Sequence, residues 1–99
     1  MDDASRWLDR FEAHLRDERR LSPQTCLHYR RDLEQLDGFR LAQALPRWAM
    51  LDSQHIRTFA AARHRAGLSG RSIQRLLSAI RTFYRYLMRE GEAGHDPAA

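Results

Sequence analysis

Ser69-Gly70-Arg71-Ser72-Ile73-Gln74-Arg75-Leu76-Leu77-Ser78-Ala79-Ile80-Arg81-Thr82-Phe83-Tyr84-Arg85-Tyr86-Leu87 is the stretch that decides the fold. Its apolar residues Ile73, Leu76, Leu77, Ile80, Phe83, Tyr84 and Leu87 recur at steps of three and four. That spacing lays them along one face of an α-helix. Ser69 or Gly70 opens the helix, and Gly91 and Gly94 end it. Working back along the chain, Gly67 stands where a left-handed cap closes a preceding helix, Ser53 to Ala66. Asp52 caps that helix, and Ile56, Phe59, Ala60 and Arg63 keep its register. Leu45 to Leu51, with Pro46 and Trp48, reads as an irregular linker. Ser22-Pro23 is an N-cap followed by proline at the first helical position. The helix it starts carries Cys26, Tyr29, Leu33 and Leu36, passes Gly38 and runs to about Ala44. Asp2-Asp3 caps a first helix reaching Glu18, with Leu8, Phe11 and Leu15 on one line and Trp7 beside it. His95-Asp96-Pro97-Ala98-Ala99 reads as the start of a linker. No segment alternates with period two. The expected architecture is all-α: one compact four-helix orthogonal bundle spanning residues 1–99.

A chain of 99 residues has room for one core but not for a large enzyme pocket besides. With 42% hydrophobic and 30% charged residues it should fold rather than stay disordered. It lacks an apolar run of ~18 residues, so no membrane span is expected. The acidic Met1-Asp2-Asp3 start argues against a secretory signal, and the single Cys26 suits a reducing compartment. A cytoplasmic protein is the expectation. The net charge is +4, and all 17 basic residues are arginine. Codon bias accounts for the missing lysine. The excess positive charge still points to nucleic acid.

The fourth helix has a basic edge opposite its apolar face: Arg71, Arg75, Ser78, Thr82, Arg85 and Arg89, with Gln74 and Arg81 flanking. Arginines one turn apart present their guanidinium forks along a line, suited to phosphates or base edges. The second helix offers Gln24, Thr25, His28 and Arg31 near an N-terminus whose amides favour phosphate. A solvated charged face explains such a pattern equally well.

Catalytic and metal chemistry find no support. Histidines 14, 28, 55, 64 and 95 never recur at four-residue spacing, and Cys26 has no cysteine partner, so no metal site is expected. There is neither a Gly-x-Ser-x-Gly elbow nor a glycine-rich loop before a helix, so neither catalytic residues nor a cofactor are expected. Trp7, Phe11, Phe59, Phe83 and Tyr84 lie on or beside apolar stripes and read as core. Tyr86 lies off the stripe and is the one aromatic expected to be exposed.

Three ordered blocks carry a resemblance. Leu21-Ser22-Pro23-Gln24-Thr25 with Tyr29-Arg30-Arg31-Asp32-Leu33 resembles the second-helix signature of the tyrosine recombinase (phage integrase) N-terminal core-binding domain, a SAM-like fold. Trp48, Asp52, Ile56, Arg57, Phe59 and Ala60 resemble its third-helix entry. Ser72 to Arg81, followed by Phe83-Tyr84-Arg85-Tyr86-Leu87, resembles its fourth helix, and Asp96-Pro97-Ala98 its exit toward a catalytic domain. Within the family the likeness is nearest to the XerC-type chromosome-dimer recombinases.

The resemblance implies a domain that clamps DNA together with a separate catalytic domain. Its second and fourth helices would face the major groove. Ser22, Thr25 and His28 would contact DNA from the second helix, and Arg71, Gln74 and Arg75 from the fourth. It also implies a recombinase tetramer, with copies of itself or with a XerD-like partner, in which Trp7, Arg10 and His14 would border a protomer contact. For Trp7 the plainer expectation is packing against the third helix. The tyrosine nucleophile and its arginine and histidine partners would belong to the catalytic domain, which these residues lack. His28-x-x-Arg31 copies an active-site spacing, but 5 histidines and 17 arginines in 99 residues supply about one such pair by chance. Two other readings fit the same residues: a free-standing helical DNA-binding regulator, and a helical protein–protein interaction module.

Overall fold

A computed structural model describes residues 2–99. It is an all-α bundle of α1 (Asp3–Ala13), α2 (Pro23–Ala42), α3 (Ser53–Arg65) and α4 (Gly70–Arg89), with no strand among the described residues. A π-helical turn, His14–Glu18, follows α1, and a 3₁₀ turn, Trp48–Met50, precedes α3. The N-caps are those the sequence predicts. The side chains of Asp2, Ser22, Asp52 and Ser69 accept from the backbone N–H of Ser5, Thr25, His55 and Ser72. Each satisfies an amide that the helix itself leaves unpaired.

The first helix departs from expectation. Its α-helical part stops at Ala13, and the next turn widens so that the Arg19 N–H donates to the His14 carbonyl at 3.1 Å. The wider turn keeps Leu15 fully buried while redirecting the chain into the connector. Arg20 there takes φ 54, and the Leu21 N–H reaches the Leu15 carbonyl. The second helix stops two residues short of the predicted end because Ala44 adopts φ 56. The Leu45 N–H then bonds to the Arg40 carbonyl, a left-handed cap usually built with glycine.

The core gathers Leu8, Phe11 and Leu15 of α1, Leu33 and Leu36 of α2, Ile56 and Phe59 of α3, and Leu76, Ile80, Phe83, Tyr84 and Leu87 of α4. Helix α2 packs on both α1 and α4, and α3 packs on α4. The predicted linker contributes the largest of the fully buried side chains, Trp48. The indole N–H donates to the Ala4 carbonyl at 2.6 Å, and Phe83 meets the ring edge-on at 4.9 Å. The Tyr84 hydroxyl donates to the Trp48 carbonyl at 2.5 Å, and burial pushes its pKa well above the ordinary value.

Arg40 is 1% exposed and joins the ends of two helices. Its guanidinium donates to Asp37, to the Leu45 carbonyl and to Asp2, while Ser5 Oγ donates to Asp37 at 2.6 Å. The start of α1 is thereby pinned to the end of α2.

Three further expectations need correction. Tyr86 is 8% exposed, because Trp7 covers it edge-on at 6.2 Å and the His14 ring stacks on it at 4.9 Å. Trp7 itself is half-buried and packs against α4 rather than the third helix. The segment from His95 folds back instead of leaving. Its imidazole Nε2 bonds to the Leu51 carbonyl, Pro97 is buried, and Arg81 donates to the Ala98 carbonyl.

Candidate nucleic-acid interface

Helices α2 and α4 leave a groove of about 310 Å³ between them. Its polar walls are Thr25, His28 and Asp32 from α2, and Arg75 and Ser78 from α4. Tyr29 and Ala79 supply an apolar floor. The periodicity explains the convergence. Residues 25, 28 and 32 lie three and four apart on α2, as 75 and 78 do on α4, so each set shares one edge of its helix. The buried stripes of Leu33 and Leu36 on α2 and of Leu76 and Ile80 on α4 point both edges toward the same opening.

Four of the sequence-predicted residues, Thr25, His28, Arg75 and Ser78, meet in this groove. Gln24, Arg31, Arg71 and Gln74 are exposed but do not line it, and flank it on the same two helices. Ser22 is exposed and already engaged as a cap: its Oγ accepts from the Thr25 N–H at 3.2 Å and donates to Thr25 Oγ1 at 2.9 Å. Trp7, Arg10 and His14 sit apart, along α1 and the turn after it. The Arg10 guanidinium lies 3.8 Å above the Trp7 ring, while His14 is stacked against Tyr86.

Sequence reasoning missed Asp32. Its carboxylate lies in the groove and accepts from Arg75 Nε at 3.4 Å. The signal was present: Asp32 continues the Thr25, His28 series at the next turn, whereas Arg31 turns out of the groove. An acid on a basic face is easily passed over. Held at Nε, Arg75 keeps its terminal nitrogens free to act as a fork.

The positive charge is not evenly available. Arg30 bridges α2 to α1 through Asp9 at 2.6 Å and Glu12 at 3.5 Å, and Arg40 is buried. Neither can serve a ligand. Among the described residues no three His, Cys, Asp or Glu side chains converge as metal ligands would. Among the described residues no helix is long and apolar enough to cross a membrane.

The phage integrase N-terminal SAM-like domain family matches residues 8–91. The chain belongs to that family. It is 50% identical over 91 residues to the tyrosine recombinase XerC of Pseudomonas syringae pv. tomato, covering 92% of this chain and 30% of the relative. It is likewise 50% identical over 93 residues to the tyrosine recombinase XerC of Pseudomonas fluorescens, covering 94% of this chain and 31% of that protein. For the tyrosine recombinase XerC of Azotobacter vinelandii the figures are 49% over 92 residues, 93% and 31%. No solved structure matches. The chain thus spans about three tenths of the length of the curated relatives it matches. As an integrase-type N-terminal domain it corresponds to one part of a tyrosine recombinase, and the remaining length of those relatives lies outside the match.

Proposed function

We propose that this SAM-like domain grips duplex DNA at a recombination half-site through the α2–α4 groove. In this reading it is the DNA-binding part of a XerC-type site-specific recombinase that resolves chromosome dimers. Strand exchange through a phosphotyrosine intermediate is the work of a catalytic domain outside these residues. The partners are double-stranded DNA and, in the assembled recombinase, a tetramer of itself or with a XerD-like protein. Trp7, Arg10 and His14 take the subordinate role of bordering a protomer contact.

The observation that carries the proposal is the meeting of Thr25, His28, Arg75 and Ser78 in one groove. Their chemistry matches the floor of a major groove. An arginine fork pairs with guanine O6 and N7, and an apolar floor accommodates a thymine methyl. Arg31 and Arg71 flank the groove, where phosphates would run, and among the described residues make none of the ion pairs that occupy Arg30 and Arg40.

A salt titration of duplex binding tests it. The logarithm of the affinity should fall linearly with the logarithm of salt, by about 0.9 per phosphate contacted, with Kd in the ~10⁻⁴–10⁻⁶ M range. Arg71→Ala and Arg75→Ala should weaken binding while shifting stability by less than ~0.5 kcal/mol. A salt-independent curve would refute the electrostatic reading. Binding of one sequence in the ~10⁻⁸–10⁻¹¹ M range would favour a free-standing regulator. An absence of duplex binding would favour a protein–protein module.

A further inference from the structure

A second recess, of about 160 Å³, opens between the π turn after α1 and the C-terminal half of α4. His14, Arg19, Thr82, Arg85, Tyr86 and Arg89 line it. Three guanidinium groups around so small a space make it strongly cationic.

The nearby acids do not neutralise it. Glu18 is shared between His14 Nδ1, at 3.1 Å, and Arg89, at 3.7 Å. Glu90 accepts from Arg89 Nε at 3.2 Å and lies 3.9 Å from Arg10. Arg89 also stands over the Tyr86 ring at 5.3 Å, so it is held in place. Arg19 and Arg85 are exposed and make no such pairs among the described residues. The backbone beneath Arg19 is fixed, because its N–H donates to the His14 carbonyl and the next turn closes through Leu21 and Leu15. Two unengaged forks on rigid supports, facing one recess, match the two non-bridging oxygens of a phosphodiester.

The position along α4 fits as well. Arg85 follows Arg75 by ten residues, or about 15 Å at 1.5 Å per residue. The major groove is ~12 Å wide. A helix edge that meets bases at Arg75 therefore reaches a wall of phosphates by Arg85.

We infer that this recess seats a backbone phosphate of the duplex, with Arg19 and Arg85 donating to its oxygens and Arg89 adding charge from the side. The inference rests on the DNA-binding reading above and extends it to a part of the surface remote from the α2–α4 groove.

The test uses Arg19→Gln, Arg85→Gln and their double variant. Arg6→Gln is the control: it removes the same charge from the first turn of α1, which Arg40 ties to the far end of α2. The double variant should bind duplexes of unrelated sequence about tenfold more weakly, by the same factor on each. Its salt slope should be shallower by about 0.9. Arg6→Gln should leave the slope unchanged. If the wild type binds with the expected salt dependence and the double variant matches it, the recess is not a phosphate site, although the α2–α4 reading stands. If the wild type binds no duplex, both fall. Nitrogen-resolved NMR of the Arg19 and Arg85 side chains separates the sources of phosphate. Shifts with duplex at concentrations where inorganic phosphate gives none support the backbone assignment. Shifts with inorganic phosphate alone overturn it.

Discussion

Asp32→Asn is the perturbation that most directly interrogates the groove. In the native domain the Asp32 carboxylate holds Arg75 Nε at 3.4 Å. At that separation the attraction is about 1 kcal/mol in water and about 5 kcal/mol at an effective dielectric of 20. The Arg75 side chain is 55% exposed, so the lower figure governs, in keeping with the ~0.2–1 kcal/mol of exposed pairs. A phosphate or base oxygen entering the groove must also approach the carboxylate to about 7 Å, inside one Debye length, at a repulsive cost of about 0.5 kcal/mol in water. Removing the charge frees Arg75 and lifts the repulsion, together about 1–1.5 kcal/mol, or roughly tenfold in affinity. Asp32→Asn should therefore bind arbitrary duplexes about tenfold more tightly at low salt. It should also discriminate less between sequences, because the arginine fork is no longer aimed. Fluorescence anisotropy on a panel of labelled duplexes at two salt concentrations measures both quantities, and a melt establishes that the fold is intact. Uniformly weaker binding with an unchanged melt would refute the reasoning: Asp32 would then be a direct acceptor from DNA rather than a restraint on Arg75.

Other expectations concern the fold that presents the groove. Arg40→Met should cost about 3–5 kcal/mol by urea denaturation, because it strands Asp37 beside the core, and adding Asp37→Asn should recover part of that loss. Ile80→Ala should cost about 2–5 kcal/mol, and Leu77→Ala clearly less, since Ile80 is fully buried and Leu77 only partly so. Ala44→Gly should stabilise the domain by about 0.5–1 kcal/mol, raising Tm by several degrees, because Ala44 holds φ 56. The Asp2 and Asp52 carboxylates are held below their ordinary value, chiefly by the backbone N–H of Ser5 and of His55. Their contribution is therefore complete above about pH 4 and lost as pH falls through the lowered native values. Asp2→Asn with Asp52→Asn should flatten the acid side of a Tm-against-pH curve, while leaving that curve steep would refute the assignment.

The sequence by itself determined the helices, their caps and the core face of α4. These depend on residues three and four apart and on single capping side chains, interactions local enough to be read along the chain. It also marked one edge of α2 and one of α4 as polar, and Thr25, His28, Arg75 and Ser78 did prove to share a groove. Which arginines remain free to meet a ligand was not legible. Arg30 finds Asp9 across 21 positions of sequence, and Arg40 finds Asp2 across 38. Such pairings exist only once the helices are packed. The same holds for Asp32, whose place opposite Arg75 requires α2 and α4 to lie side by side. Tyr86 looked exposed because it lies off the stripe of its own helix, yet Trp7 and His14 arrive from the chain's other end to cover it. Local periodicity fixes which face of a helix is apolar. Only tertiary packing decides which charges are neutralised and which edges meet, because a helix carries no record of the neighbour that will lie against it.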